Sequence, residues 1–149
     1  MNNHFDEAYE LNRFITGQNS IYGTALDEIK IGKKKSCWMW FIFPQLRGPG
    51  RNRKSYVFGI EGMDEARPYL AHPVLGPRLI ECCEALLLHT DKSAAEIFGK
   101  IDSVKLCSSM TLFTLASEEN SVFHKVLHAF CDGEYDEQTL KILHKEVIQ

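Results

Sequence analysis

The stretch KKKSCWMWFIFPQLRG, residues 33–48, places three consecutive lysines directly before an apolar run with two tryptophans and two phenylalanines. Residues 38–43 of this run are too few for periodicity to distinguish a helix from a strand. The same ambiguity holds for the short apolar run at residues 56–60. Because the surrounding sequence has a helical pattern, we expect both runs to be helical.

Outward from this stretch, apolar residues recur at helical spacing along most of the chain. Predicted helix starts are Ser20, Ser93, Asp102, Ser121 and Asp136, and predicted stops are Gly32, Gly99 and Gly133. Ser93 and Glu96 form a capping box, which satisfies backbone amides at a helix start. No alternating strand pattern of useful length follows residue 60. We therefore expect an all-α fold of about seven or eight short helices, in one domain spanning residues 1–149.

The chain has 149 residues, of which 44% are hydrophobic and 25% charged, a composition typical of globular proteins. It has no apolar run of membrane-spanning length, and its first residues do not resemble a signal peptide. The five cysteines are odd in number, show no regular spacing and lie in apolar surroundings. This pattern predicts a cytoplasmic protein with free thiols and without disulfides.

Charge is distributed very unevenly along the chain. Of the 17 lysines and arginines, eight lie between Lys30 and Lys54, a segment without any acidic residue. The rest of the chain holds the other 9 basic residues and all 20 acidic ones, which amounts to a charge of −11. A locally positive surface concentrates anions. An anionic ligand is the first functional hypothesis.

Residues beside the apolar run are candidates for binding such a ligand. Aromatic faces stack on bases, glycines let backbone amides approach a ligand, and arginines contact phosphate in a bidentate manner. Elsewhere, a histidine before a proline and a polar helix face offer hydrogen-bonding groups. The candidate ligand-binding residues are Lys35, Trp38, Trp40, Gln45, Arg47, Gly48, Gly50, Arg51, His72, Arg78, Lys105 and Ser108.

Each candidate also has a structural interpretation. Most of the aromatic run is typical of a buried core, and a histidine at a helix end, such as His72, commonly bonds a backbone carbonyl. The three lysines are typical of a solvated helix end, where they oppose the helix dipole. The polar face of a helix explains most of the polar residues around Lys105 and Ser108.

The sequence contains no motif for several common kinds of functional site. The loop around Gly48 and Gly50 is not a P-loop, and no Gly-x-Ser-x-Gly nucleophile elbow is present. His124 and His128 are one helical turn apart, but no further ligands have the spacing of a zinc site. We therefore expect neither a metal nor another cofactor.

The segment at residues 32–48 resembles the signature of the bacterial family called domain of unknown function 1810. Further resemblance lies at residues 69–79, 96–99 and 105–113, so it spans nearly the whole chain. The resemblance implies a mainly helical fold and no established activity. Cys37 departs from the family pattern, which usually has a histidine before the first tryptophan. Any catalytic scheme that rests on this position is weakened.

The family in turn resembles the YbiA-like proteins in size, helix content and the Lys-Ser-Met-Phe spacing of its C-terminal half. Those proteins are linked to ADP-ribose and N-glycosidic chemistry. That resemblance implies, as one alternative, an N-glycosidic enzyme in which Glu81 or Asp102 acts as the acid and an arginine holds phosphate.

The leading hypothesis is a cytoplasmic protein that binds a phosphate-bearing, nucleotide-like molecule in a basic, aromatic-edged pocket. Nucleic acid is a disfavoured partner, because the acidic remainder of the chain would repel a long polyanion. A protein-interaction module is the other alternative, and it would require a large exposed apolar patch.

Overall fold

A computed structural model describes residues 10–48 and 57–148 of the protein, with side chains through residue 145. Within these ranges the chain forms α-helices and no β-strand, which confirms the predicted all-α fold. The nine helices described are α1 (Asn12–Asn19), α2 (Tyr22–Ile31), α3 (Met39–Ile42), α4 (Met63–Ala71), α5 (Leu75–Leu86), α6 (Ala94–Phe98), α7 (Lys100–Ala116), α8 (Val122–Phe130) and α9 (Glu137–Ile148). A 3₁₀ turn, Leu87–His89, follows α5.

Local capping chemistry accounts for many helix ends. Gly32 ends α2 in the left-handed region at φ 89°, where glycine carries no Cβ penalty. Ser93 and Glu96 form the predicted capping box of α6. The Ser121 hydroxyl accepts a hydrogen bond from the His124 amide and begins α8. Asp136 accepts one from the Thr139 amide at 2.9 Å and begins α9.

Two local predictions are wrong. Asp102 does not cap α7, because Gly99, at φ 84°, both ends α6 and precedes the first residue of α7. Asp102 lies inside the first turn instead. The predicted helix at residues 56–60 is wrong at its C-terminal end: residue 56 lies outside the described residues and Val57 is helical, but Ile60 pairs with Leu46 in an isolated parallel bridge. The backbone amides of Arg47 and Ile60 donate across this bridge to Ile60 and Gln45.

Helix α7 is the centre of the packing. It contacts α4, α6, α8 and α9, and its side chains Leu106, Met110 and Phe113 are fully buried. Aromatic rings continue the core on both sides of α7. The Tyr69 ring lies 5.3 Å from Phe113, whose ring lies 5.8 Å from that of Phe123. The candidate residues Lys105 and Ser108 on α7 are therefore carried by a firmly packed helix.

Arg13 connects α1 to α4 and to the segment before α4. Its guanidinium binds the Glu65 carboxylate through two hydrogen bonds, at 2.8 and 3.2 Å, and Glu65 is almost completely buried. It also donates to the backbone carbonyls of Val57 and Gly59. A buried carboxylate is stable only when it is paired in this way.

The cysteine prediction is wrong in part. Cys107 on α7 and Cys131 at the end of α8 form a disulfide, whereas Cys37, Cys82 and Cys83 are free. Pairing depends on the packing of α7 against α8, which brings the two Cα atoms to 5.8 Å. The spacing of cysteines in the sequence carries no sign of this contact.

We expect the disulfide to stabilise the fold, because it closes a loop across a sequence separation of 24 residues. Loop-closure entropy for a loop of this length corresponds to about 3 kcal/mol. Urea unfolding of oxidised protein should therefore show a higher free energy of unfolding than that of a Cys107→Ser/Cys131→Ser variant. The exposed Cys37 provides the control, since Cys37→Ser should leave the oxidised protein unchanged. Equal stability of the oxidised protein and the double variant would contradict the prediction.

Candidate functional site

The segment between α2 and α3 carries the lysine run, and a buried carboxylate holds it in place. The Glu28 carboxylate accepts hydrogen bonds from the amides of Lys35 (2.7 Å) and Ser36 (3.0 Å). It also accepts from the Ser36 hydroxyl at 2.6 Å and the Trp38 indole at 2.8 Å. The Lys34 amide donates to the Ile97 carbonyl of α6. The segment is thus tied to α2 through Glu28 and to α6 through Ile97.

These hydrogen bonds control the ionisation of Glu28. Burial alone would raise its pKa, but the bonds from Ser36, Lys35 and Trp38 favour the charged form more strongly and lower the pKa to about 2. Glu28 is therefore an anion at all physiological pH values. It stabilises the segment and is not a proton donor.

Trp38 is a structural residue and not the stacking surface that the sequence predicted. Its side chain is fully buried, and its indole nitrogen is occupied by Glu28. Its ring packs against Phe43 and, edge-on, against Phe98. No face of this indole is left for a ligand.

Three charged side chains meet beside the second tryptophan. Lys34 contacts one oxygen of Asp102 at 2.8 Å, and Lys105 contacts the other at 3.2 Å. We call Lys34, Asp102 and Lys105 the lysine–aspartate cluster. The Lys105 ammonium lies 4.6 Å from the centre of the Trp40 ring, a cation–π distance, and Trp40 is only half-buried. The cluster has a net charge of +1 and borders an accessible aromatic ring.

Asp102 stays ionised in this cluster. Burial would raise its pKa, but the hydrogen bonds and charges of Lys34 and Lys105 outweigh burial and lower it. A general acid must hold a proton at the working pH. Asp102 is therefore unsuited to the role of proton donor that the N-glycosidic alternative gave it.

The two lysines of the cluster differ in accessibility. The Lys34 side chain is 10% exposed, also donates to the Ser36 carbonyl, and lies 5.0 Å from the Trp38 ring. The Lys105 side chain is 24% exposed. Ser108 lies one turn beyond Lys105, is half-buried, and donates to the Val104 carbonyl. The Lys35 side chain is exposed.

The predicted loop residues fall into two groups. Gln45 and Arg47 contribute backbone groups to the bridge with Ile60, and the Arg47 guanidinium lies 4.0 Å from the Glu61 carboxylate. The side of Gly48 that would carry a Cβ faces Ile142 of α9. Gly50 and Arg51 lie outside the described residues.

His72 occupies a helix start. It is buried, and its Nδ1 accepts hydrogen bonds from the backbone amides of Val74 (3.1 Å) and Leu75 (3.4 Å) at the beginning of α5. These amides are the unpaired donors of a helix N-terminus. The sequence predicted a helix-terminal histidine that bonds a carbonyl, but this ring nitrogen accepts from amides.

Arg78 belongs to a second polar network, which sequence reasoning missed. Its guanidinium donates to the Gln18 side chain at 3.1 Å and lies over the Tyr22 ring. The Tyr22 hydroxyl donates to the Glu81 carboxylate, and buried Gln18 donates to the Phe41 carbonyl. Glutamine in an amphipathic helix ordinarily faces solvent, so Gln18 gave no sign of this role in the sequence.

The remaining reactive groups are poorly placed for catalysis. Burial raises the pKa of Cys82 to about 12 and also raises that of Cys83, so both are neutral thiols at neutral pH. His124 and His128 are exposed. In residues 10–48 and 57–148, no three His, Cys, Asp or Glu side chains could share a metal ion. None of the helices described there is long and apolar enough to cross a membrane.

Glu28 gives a direct test of how the site is built. We expect Glu28→Ala to lower the free energy of unfolding by about 3 kcal/mol, because it leaves several buried donors unpaired. Glu28→Gln should cost less than Glu28→Ala, since its carbonyl can replace one carboxylate oxygen and its amide can donate to the Ser36 hydroxyl, but it still loses the stabilisation that comes from the charge.

The pH dependence of the free energy of unfolding separates the contribution of the Glu28 charge from that of the side chain's shape. Its folded pKa of about 2 lies below its ordinary value of 4.5, so its stabilising effect is complete above pH 4.5 and is lost as the pH falls towards 2. Denaturant unfolding across this range should show that the Gln variant lacks this part of the acid destabilisation. Parallel curves for the wild type and the Gln variant would contradict the assignment.

Comparisons with known proteins agree with the fold. The crystal structure of the conserved hypothetical protein Rv1873 from Mycobacterium tuberculosis is similar at a TM-score of 0.88 and 41% sequence identity. The similarity covers 92% of this chain and 98% of that one. No curated protein matches the chain. The model of the family described as "Protein of unknown function (DUF1810)" matches residues 8–143, so the chain belongs to this family.

Proposed function

We propose that the protein binds a small phosphate-bearing, nucleotide-like molecule at the lysine–aspartate cluster and the adjoining face of Trp40. The observation that carries the proposal is the position of Lys105, between the Asp102 carboxylate and a half-buried Trp40 ring. A cation and an aromatic surface at the same place match the two parts of a nucleotide. The phosphate would contact the ammonium, and the base would stack on the indole.

Asp102 supports anion binding even though it is itself negative. It holds two ammonium groups within 3.2 Å, so part of the entropy cost of ordering these long side chains is met before a ligand arrives. An ammonium has three N–H donors. Lys105 uses one on Asp102, which leaves donors for a phosphate oxygen.

The small charge of the cluster also favours a compact anion over a nucleic acid. The cluster carries a net charge of +1, whereas a duplex-binding surface neutralises several phosphates at once. The acidic remainder of the chain would repel a long polyanion. Binding of a small ligand should therefore lose little affinity with added salt compared with the steep dependence expected for DNA or RNA.

We place this function in the cytoplasm as part of the same proposal. Three free thiols favour a reducing compartment, in which the Cys107–Cys131 pair would be largely reduced. Thiol alkylation of protein from intact cells, followed by mass spectrometry, measures the redox state of the pair. Complete oxidation in the cell would argue for a different compartment.

Calorimetric titration with AMP, ADP-ribose and pyrophosphate tests the binding proposal. We expect at least one of them to bind the wild type in the millimolar range or tighter. Lys105→Ala should weaken that binding by about tenfold or more, because a charge-assisted hydrogen bond contributes about 1.5–3 kcal/mol. Trp40→Leu should weaken AMP and ADP-ribose binding more than pyrophosphate binding, since only the first two contain a base to stack.

Lys125 provides a matched control, because it is an exposed lysine on α8. Lys125→Ala should change the Kd by less than about twofold, since exposed charges contribute little individually. Circular dichroism on all variants separates lost binding from lost folding. Absence of wild-type binding to all three compounds, or equal losses in Lys105→Ala and Lys125→Ala, would refute the proposal. Product analysis of the ADP-ribose titration tests for N-glycosidic cleavage.

A further inference from the structure

The Cys107–Cys131 disulfide lies next to the turn that leads into α9. Cys107 is on α7, and Cys131 is the residue at which α8 ends. We infer that this pair is a reversible redox switch, in which the oxidised form fixes the start of α9 on α7 and the reduced form releases it. Oxidation thus changes the packing of one helix without changing the rest of the fold.

The pair differs in accessibility from the cysteines of the core. Cys107 and Cys131 are half-buried, whereas Cys82 and Cys83 are completely buried. Cys37 is an exposed free thiol. A chain with one disulfide and an exposed free thiol is not typical of an oxidising compartment, where cysteines usually pair. A single, partly accessible disulfide in such a chain is typical of a pair that is oxidised and reduced reversibly.

The packing of α7 against α8 does not rely on the covalent bond. The side chains that α8 buries are Phe123, Val126, Leu127 and Phe130. The Phe123 ring lies 5.8 Å from the Phe113 ring of α7. Burial of apolar side chains is the main favourable term in packing of this kind. We therefore expect both helices to stay packed when the disulfide is reduced.

The chain beyond Cys131 has no such core contacts. Residues 132–135 are exposed, and Asp132 (φ 56°) and Gly133 (φ 72°) both have left-handed backbone conformations. Only glycine avoids the Cβ clash in this conformation, so it costs free energy at Asp132. The disulfide fixes the residue from which this exposed turn starts.

Two points on α7, one helical turn apart, hold the start of α9. One is the disulfide at Cys107. The other is Thr111, whose hydroxyl accepts a hydrogen bond from the Asp136 amide at 2.8 Å and donates to the Cys107 carbonyl at 2.8 Å. A covalent anchor at Cys131 restricts the positions that are open to Asp136, so it lowers the entropy cost of this hydrogen bond. Reduction removes the first point and weakens the second.

Helix α9 itself has few buried side chains. Among residues 137–145, Thr139 alone is buried, and Ile142 and Leu143 are half-buried. Ile142 faces the side of Gly48 that would carry a Cβ. Release of α9 would also remove this contact from the segment before Gly48. The switch does not depend on the nucleotide proposal, so either can fail alone.

Thiol–disulfide exchange with a small disulfide, such as oxidised glutathione, supplies the oxidation. The thiolate of one cysteine attacks a sulfur atom of the oxidant and releases one glutathione thiolate. The second cysteine thiolate then attacks the protein sulfur of this mixed disulfide and releases the other glutathione. The protein thiols lose two electrons and two protons, and the oxidant becomes two molecules of reduced glutathione. An excess of reduced glutathione reverses both steps.

Equilibration in glutathione buffers tests whether the pair is reversible. The protein is incubated at a series of ratios of reduced to oxidised glutathione, free thiols are alkylated, and mass spectrometry measures the oxidised fraction of the pair. We expect the same curve from either direction, with the pair mainly oxidised at one end and mainly reduced at the other. A disulfide that stays intact in excess reduced glutathione, or one that does not form in excess oxidised glutathione, would overturn the inference.

Hydrogen exchange tests the release of α9. At labelling times of seconds to minutes, reduction should speed exchange of the amides in residues 133–145 by about tenfold or more, because loss of the covalent anchor makes local opening more frequent. Amides in residues 79–86 of α5 should stay protected in both forms. Equal exchange of α9 in the two forms, or loss of protection in α5 as well, would contradict the release of a single helix.

Three variants identify the groups that are responsible. Cys107→Ser/Cys131→Ser should show the fast α9 exchange of the reduced protein even in oxidised glutathione. Cys37→Ser is the matched control and should keep the difference between the two forms. Thr111→Val removes the hydroxyl that receives the Asp136 amide, so α9 should exchange faster than in the wild type in both forms. Slow α9 exchange in the double serine variant, or no redox dependence in Cys37→Ser, would refute the switch.

Discussion

The Glu28 carboxylate is the constraint on which the candidate ligand site depends. It is buried, remains ionised, and receives hydrogen bonds from two successive backbone amides, a serine hydroxyl and the Trp38 indole. A buried carboxylate with so many donors favours one conformation of the segment around it, because every alternative leaves a charge unpaired. The Glu28 carboxylate therefore holds the backbone at the lysine run in one conformation. In this conformation the Lys34 side chain contacts Asp102.

The two tryptophans of the run differ in burial, and therefore in the role that each can have. They are two residues apart on either side of the start of a single-turn helix, so they face different surroundings. Trp38 faces Glu28, Phe43 and Phe98 and is sealed in the core. Trp40 faces Lys105 and stays partly accessible. The buried Trp38 thus positions its neighbour Trp40, which stays partly accessible.

The sequence predicted features that depend on local chemistry and missed those that depend on packing. Capping at Ser93 and Ser121 and the stops at Gly32 and Gly99 follow from interactions within four residues, and these were found. The Cys107–Cys131 disulfide and the Gln18–Arg78 contact join residues 24 and 60 positions apart. No periodicity in one sequence encodes such pairings. Asp102 was misread because an acid near a helix start suits both a cap and an ion pair.

The charge asymmetry of the sequence has a different meaning once the fold is known. The basic segment is not free of acids in space, because Glu28 lies under it and Asp102 lies beside it. Much of the positive charge of Lys34 is consequently compensated inside the protein, and its ammonium is largely buried. What remains for a ligand is a smaller and more ordered set of charges centred on Lys105. A few ordered charges beside one aromatic ring fit the geometry of the compact anion that we propose, whereas binding of a polymeric anion would need many charges spread over a larger surface.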